Sequence, residues 1–193
     1  MKKLFVTVML FVGIACASLY AWEPNDLTKY PSVTKPGDWL INVGVGLGGN
    51  MVGRYNYGPD FIFVPPMHIA VDYNVPLGAQ GLPFFFGGLV GYSGYGFKGN
   101  QYMSKYYYST INIAFRFGYH FNWGIDKFDT YAVAKAGWSI YAGDKAYLPT
   151  KIGSLIVGIN VGARYFLTDW FGFWAEVGIG SYYSVDIGLA FKF

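Results

Sequence analysis

The sequence predicts an all-β chain: an eight-stranded antiparallel transmembrane up-and-down β-barrel. Three observations carry this. The first is strict alternation at the C-terminal end, where Tyr183, Val185, Ile187, Leu189, Phe191 and Phe193 are large and apolar, while Ser184, Asp186, Gly188, Ala190 and Lys192 are small or charged. A period of two gives a strand with one oily and one polar face, and about 9–11 tilted residues span the hydrocarbon of a bilayer. The second is composition: aromatics make up 21% and charged residues only 13% of the 193 residues, with 27 glycines. A soluble domain carries about 25% charge, whereas membrane barrels concentrate aromatics at their interfaces. The third is the N-terminus. Met1-Lys2-Lys3 precedes an apolar run, Leu4 to Ala17, and the small-residue site Leu19-Tyr20-Ala21 before Trp22. That is the layout of a secretory signal peptide.

The expected organisation is a signal peptide over 1–21, a polar, Pro-containing periplasmic lead-in over 22–37 and a barrel over 38–193. An uncleaved anchor helix is the rival for the leader. Cys16 is the only cysteine, and it lies within the leader, so processing leaves no thiol for a disulfide, metal cluster or nucleophile. An acylated Cys16 is disfavoured by Gly13, where a lipoprotein signal carries Leu. The net charge of +3 is slight and dispersed, which gives no footprint for nucleic acid.

The strands follow in order. The first is Trp39–Leu47, with odd positions outward and Asn42, Gly44 and Gly46 inward. A long loop over 48–64 leads to the second, Met67–Val75, with His68, Asp72 and Asn74 inward. Pro76 to Gly81 forms a turn. The third, 83–92, alternates weakly. A Gly-, Lys- and Tyr-rich loop over 93–107 precedes the fourth, Ile111–Tyr119, with Asn112, Ala114 and Arg116 inward. The fifth, Phe128–Trp138, is ambiguous in facing, because Tyr131, Val133 and Lys135 compete with Ala132, Ala134, Ala136 and Trp138. Loop 140–152 precedes the sixth, Leu155–Tyr165, with Gly158, Asn160, Gly162 and Arg164 inward. The seventh, Phe171–Ile179, turns Glu176 and Gly178 inward, and the eighth closes the chain. Long connections alternate with short ones, as in outer-membrane barrels. Ten strands require a hairpin in 51–64. A secreted β-sandwich is the structural rival, though it would need matching runs of buried positions.

The stretch Gly162-Ala-Arg164-Tyr165-Phe-Leu-Thr168-Asp169-Trp-Phe-Gly-Phe-Trp-Ala-Glu176-Val-Gly178, followed by an alternating strand ending in Phe193, resembles the small outer-membrane β-barrel proteins of the OmpA/OmpX/OmpW group. The resemblance in wording covers about residues 155–193. It implies the outer membrane of a diderm bacterium as location, outer-membrane lipid and the barrel assembly machinery as partners, a monomer, and Phe193 as the assembly signal. The group shares no activity to carry over.

The residues expected to meet in the lumen are His68, Asp72, Arg116, Arg164, Glu176 and Asp186, with Lys192 near the end. An eight-stranded bore admits only side chains or one small ligand, so these charges are expected to pair. The leading function is a non-catalytic structural or surface-exposed barrel. The alternative is a narrow channel for small solutes, hydrophobic ones included, in the manner of OmpW-like proteins. A lipid-modifying enzyme ranks last: a lipid deacylase of this size would place Ser two residues after a His and a Glu nearby, but Asn122 follows His120 and no Glu lies within fifty residues. No cofactor or metal is expected, and Gly44-Val-Gly46-Leu-Gly48 opens no helix to cradle phosphate. Tyr102, Tyr106, Tyr107 and Tyr108, with Lys98 and Lys105, are expected to form an aromatic girdle near anionic head groups or a partner-binding loop.

Overall fold

The computed structural model describes residues 28–47, 61–76, 82–99, 105–143, 153–180 and 183–193. The expected signal peptide, Cys16, Tyr102 and most of loop 48–64 lie outside them. The strands are β1 (Trp39–Leu47), β2 (Phe61–Asn74), β3 (Phe84–Phe97), β4 (Tyr106–Phe121), β5 (Phe128–Gly143), β6 (Gly153–Phe166), β7 (Phe171–Ile179) and β8 (Val185–Lys192). Each pairs antiparallel with its neighbours, and β1 pairs with β8 to close the barrel. Closure gives every strand a hydrogen-bonded neighbour on each side, which satisfies the paired stretches of backbone without water. The seam extends past the strands, since Trp39 N donates to Phe193 O (2.8 Å) and Phe193 N donates to Trp39 O (2.9 Å).

β1 and β7 have the bounds the alternation predicts. The longer strands continue past it: β2 begins inside the expected loop 48–64, β3 and β4 run into 93–107, and β5 runs to Gly143. In β3 and β4 Gly, Ser and Tyr replace aliphatic residues there, and in β2 Phe61-Ile62-Phe63-Val64 is apolar throughout, so the two-residue contrast fades although the hydrogen-bond ladder continues. In β2 the register shifts between Val64 and Met67. Pro65 and Pro66 occupy the shift, where a residue without an N–H is tolerated in a sheet. Tyr106 and Tyr108 are therefore ladder residues of β4 opposite Phe97 and Tyr95, not loop residues.

The two faces differ as sharply as the period demands. Outward, Ile69, Val90, Ile113, Phe115, Leu155, Ile159 and Ile187 are exposed. Inward, the positions between them are buried. The ambiguous fifth strand resolves here: Tyr131, Val133 and Lys135 point in, while Ala134, Ala136 and Trp138 point out. At the end of the barrel carrying β1's start and β8's finish (the proximal end), aromatic rings ring the exterior, with Trp39–Tyr73 centroids 4.9 Å, Tyr73–Phe86 5.8 Å and Phe84–Phe117 5.5 Å apart. Such a belt suits the apolar–water interface of a bilayer.

Residues 28–37 belong to the expected lead-in, and Asp38 follows them just before β1. They fold across the proximal end of the bore, where Val33 joins Leu40, Phe166, Trp174 and Ala190 in a buried cluster.

If the wall faces lipid, Ile159→Arg, in the middle of β6, should lower stability in vesicles by about 2–4 kcal/mol, as a midplane cation on a barrel exterior does. Asp169→Arg, in the exposed proximal turn, should stay within about 0.5 kcal/mol. Urea unfolding of the two variants checks this, and equal effects would place the wall in water.

Candidate functional site: the ionic layer of the lumen

Asp72 sits at the centre of the bore on β2, fully buried. Arg116 of β4 reaches it with two bonds, Nε to Oδ1 (2.8 Å) and Nη2 to Oδ2 (3.2 Å). Arg164 of β6 donates from Nη2 to the same Oδ2 (3.1 Å). Both guanidiniums have no exposed surface, so their charge must be met by protein groups. Arg164 meets it further through Nη1 to Asp129 Oδ2 (2.7 Å) and Nε to Asn42 Oδ1 (3.0 Å), and its guanidinium lies over the Tyr131 ring, 4.1 Å from the centroid. Arg116 also donates from Nη2 to Glu176 Oε2 (3.2 Å).

Glu176 gathers a second group. Tyr131 Oη donates to Oε2 (2.9 Å) and Tyr183 Oη donates to Oε1 (3.0 Å), while Lys135 Nζ bonds to both Glu176 and Tyr183. Beyond Tyr183 stands His68, its ring stacked on the tyrosine at 5.0 Å and its Nδ1 2.8 Å from Asp186 Oδ2. At the proximal end His120 Nδ1 lies 2.7 Å from Asp129 Oδ1.

The long side chains fit because their neighbours are glycines. A Cβ on Gly87 would collide with Asp72, and one on Gly162 would collide with the Tyr131 ring. Glycine here makes room for its neighbours' side chains, which explains why the inward positions are rich in it.

All six sequence-selected lumen residues thus point inward and are buried. His68 and Asp186 form one pair, and Asp72, Arg116, Arg164 and Glu176 meet in the central layer. The pairing differs from what strand adjacency suggests: Arg164 and Glu176 sit on neighbouring strands, yet Arg164 bonds to Asp72 and Asp129 while Arg116 bridges Asp72 and Glu176. Strand tilt brings residues of non-adjacent strands to one level across the bore. Asp129, Lys135, Tyr131, Tyr183 and Asn42 complete the layer and were not among the selected residues. The signal for Lys135 was its place in β5, whose facing the pattern left open. Lys192 donates from Nζ to Val33 O (2.5 Å), outside the central layer. In the tyrosine cluster, Tyr107 Oη meets Tyr92 Oη on the outer face at 2.5 Å, while Tyr108 is buried beside Tyr95 at 4.8 Å. The cluster therefore divides between both faces of the wall.

Asp72→Asn should destabilise the barrel by about 3–5 kcal/mol, because two buried cations lose a shared counter-charge. Heat or urea unfolding in detergent measures it. A loss near zero would mean that water reaches both guanidiniums.

No protein-family model matches the sequence, and no curated protein matches it either. Among solved structures, the outer membrane protein OprG from Pseudomonas aeruginosa is similar, with a TM-score of 0.51 at 11% identity over 87% of this chain and 99% of that one. The Yersinia pestis outer membrane protein Ail, solved in a phospholipid bilayer nanodisc, aligns with a TM-score of 0.45 at 10% identity over 81% and 99% of the two chains. With its closed circuit of eight antiparallel strands, the chain has the fold of the small outer-membrane β-barrels, as OprG does.

Proposed function

We propose that the chain is an integral β-barrel of the outer membrane, with a non-catalytic structural or surface-exposed role and a lumen closed to solutes. The observation that carries this reading is the central layer. Arg116 and Arg164 cross a narrow bore from β4 and β6 to a single carboxylate on β2, with no exposed surface on any of the three groups. A solute path needs groups that water can reach, and this layer offers none. The apolar exterior and the aromatic belt at the proximal end support the membrane placement. In that placement the proximal end, with its short connections, faces the periplasm.

Phe193 is the group we assign to assembly. Its side chain is 68% exposed beside the β1/β8 seam, so it is available to a receptor while its backbone stays in the ladder. The family resemblance implies the barrel assembly machinery as that receptor.

Two measurements test this reading. Glu176→Gln removes the charge that faces Arg116 and Lys135. The structural role predicts a lower urea midpoint, with planar-bilayer current at the baseline for both proteins. A narrow channel predicts a measurable current in the parent protein whose selectivity changes in the variant. Phe193→Ala should reduce the amount of folded, heat-modifiable protein in the outer membrane without altering the unfolding midpoint of the fraction that folds. An unchanged yield in cells would remove Phe193 from assembly.

A further inference from the structure

Towards the distal end, opposite the proximal one, the described ladder becomes one-sided. β1 pairs with β2 only as far as Val45–Met67, and β5 pairs with β6 only as far as Ile140–Gly153. The β2–β3 ladder continues to Phe61–Phe97, β3–β4 to Phe97–Tyr106 and β4–β5 to Tyr108–Gly143. Four strands thus carry the wall further, and their inner face turns towards the distal mouth of the bore.

Aromatic rings line that face. Tyr107 marks the outside through its bond to Tyr92, so the next residue, Tyr108, points in, and so does Tyr95 opposite it. The register shift at Pro65 and Pro66 exchanges the faces of β2, so Phe63 turns inward opposite Tyr95, whereas Met67 turns outward opposite Tyr92. Tyr95 and Tyr108 have centroids 4.8 Å apart, and Tyr108 lies 5.7 Å from Tyr141 of β5. The row therefore crosses from β2 to β5. Phe63 stays 39% exposed although it faces the bore, so the row is open at that side.

Below the row the inner face changes to small polar groups. About 7 Å down the strands, Ser93 and Thr110 lie opposite each other. One step further, Ser139 Oγ donates to Asn112 Oδ1 (2.6 Å). All four are buried, Asn112 completely. Thr110 Oγ1 and Asn112 Nδ2 have no hydrogen-bond partner among the described residues. A buried polar atom left unmet is costly, so these two are where a bound molecule gains most. Among the described residues, no Asp, Glu, Lys or Arg occupies the inner face of β2–β5 beyond His68, Arg116 and Lys135.

We propose that the distal mouth is a binding site for a neutral saccharide, whose ring lies against Phe63, Tyr95, Tyr108 and Tyr141 while its hydroxyls reach Thr110 and Asn112. The two rows select this class. A sugar ring has an apolar C–H face that packs on aromatic rings and a rim of hydroxyls that donate and accept. A purely apolar ligand would leave Thr110 and Asn112 unmet. A charged one would lose its hydration without gaining a counter-charge. Aromatic lining with a few converging polar groups, at the mouth of a barrel, is the usual composition of a ligand site. The ionic layer is the floor, so the sugar is bound and not passed on. The site rests on the proposed membrane placement only for the side from which the sugar arrives.

The test uses the full chain, purified and held in phosphocholine micelles, because glycosidic detergents would compete. Maltotriose, cellotriose and chitotriose are the probes, read by saturation-transfer NMR and by titration. Saturation should pass to the C–H protons of at least one of them. Phe63→Ala should weaken that binding about fivefold, the order of one aromatic contact, and Phe63→Trp should keep it. Thr110→Val, which preserves shape and removes the hydroxyl, should weaken it about fivefold, the order of one hydrogen bond. Tyr107→Ala, at the same level on the outer face, should leave it unchanged. No transfer to any of the three sugars, unchanged affinity in Phe63→Ala or in Thr110→Val, or an equal loss in Tyr107→Ala would each overturn the site. Indole that binds in a Phe63-dependent way where the sugars do not would replace the saccharide with an apolar ligand. If Phe63→Ala does not fold, Thr110→Val and Tyr107→Ala decide. Binding is read apart from conductance: a measurable current would undo the closed lumen and leave this site standing, and absent sugar binding would do the reverse.

Discussion

The sharing of Asp72 by two arginines is the interaction on which the interior depends. An eight-stranded barrel has a bore too narrow for water to solvate large charged groups freely, and an unpaired charge there would be prohibitively costly. Asp72 has two oxygens with about four lone-pair sites, enough to accept three bonds from Arg116 and Arg164. The rest of the layer follows from what each arginine has left over. Arg116 shares its Nη2 between Asp72 and Glu176, and Glu176 recruits Lys135, Tyr131 and Tyr183. Arg164 turns to Asp129 and Asn42, and lies on the Tyr131 ring. The glycines at Gly87 and Gly162 follow in turn, because a methyl group at either would occupy the space that Asp72 and Tyr131 fill.

The same alternation that delivers charges to the bore delivers aliphatic side chains to the outside, so the exterior and the ionic layer are two consequences of one period. A single-residue slip in register would exchange them. The shift at Pro65 and Pro66 does this locally. It lies distal to His68 and so leaves the lumen residues of β2 undisturbed. Below it His68, Ala70, Asp72 and Asn74 all face in, each buried.

The fold was largely legible in the sequence because a barrel wall with an apolar exterior and a filled bore enforces contrast: one residue faces out and the next faces in. Where the contrast is strong, as over Trp39–Leu47 and Phe171–Ile179, the strand bounds are also correct, although Leu40 and Trp174 are apolar and face in. Where the outward residues are Ala132, Ala134 and Ala136, the contrast is weak, and the facing of β5 became readable only once Lys135 was seen beside Glu176. Asp129 was missed for a related reason, since it sits at the start of that strand, next to the turn. The identities of the inward charges were legible but their pairing was not. Pairing depends on strand tilt and on the reach of arginine across the bore, neither of which a one-dimensional pattern records. Nothing in the composition of the polar lead-in announces that Val33 and Thr34 are buried.

Asp129 joins these two parts of the molecule. It accepts from Arg164 through Oδ2 and meets His120 through Oδ1, so each of its oxygens is committed to a different layer. A continuous run of side-chain bonds therefore joins residues 28–38 to the centre: from Lys35 O to the Asn74 amide, from there to His120, and through Asp129 and Arg164 to Asp72. At its two ends the directions are fixed: Asn74 Nδ2 donates to Lys35 O, and Arg164 donates to both Asp129 and Asp72. The barrel wall is held by a closed backbone ladder that no side chain can slip. The lumen of this protein is thus a closed β-cylinder around a hydrogen-bonded core, and residues 28–38 carry that core across its proximal end.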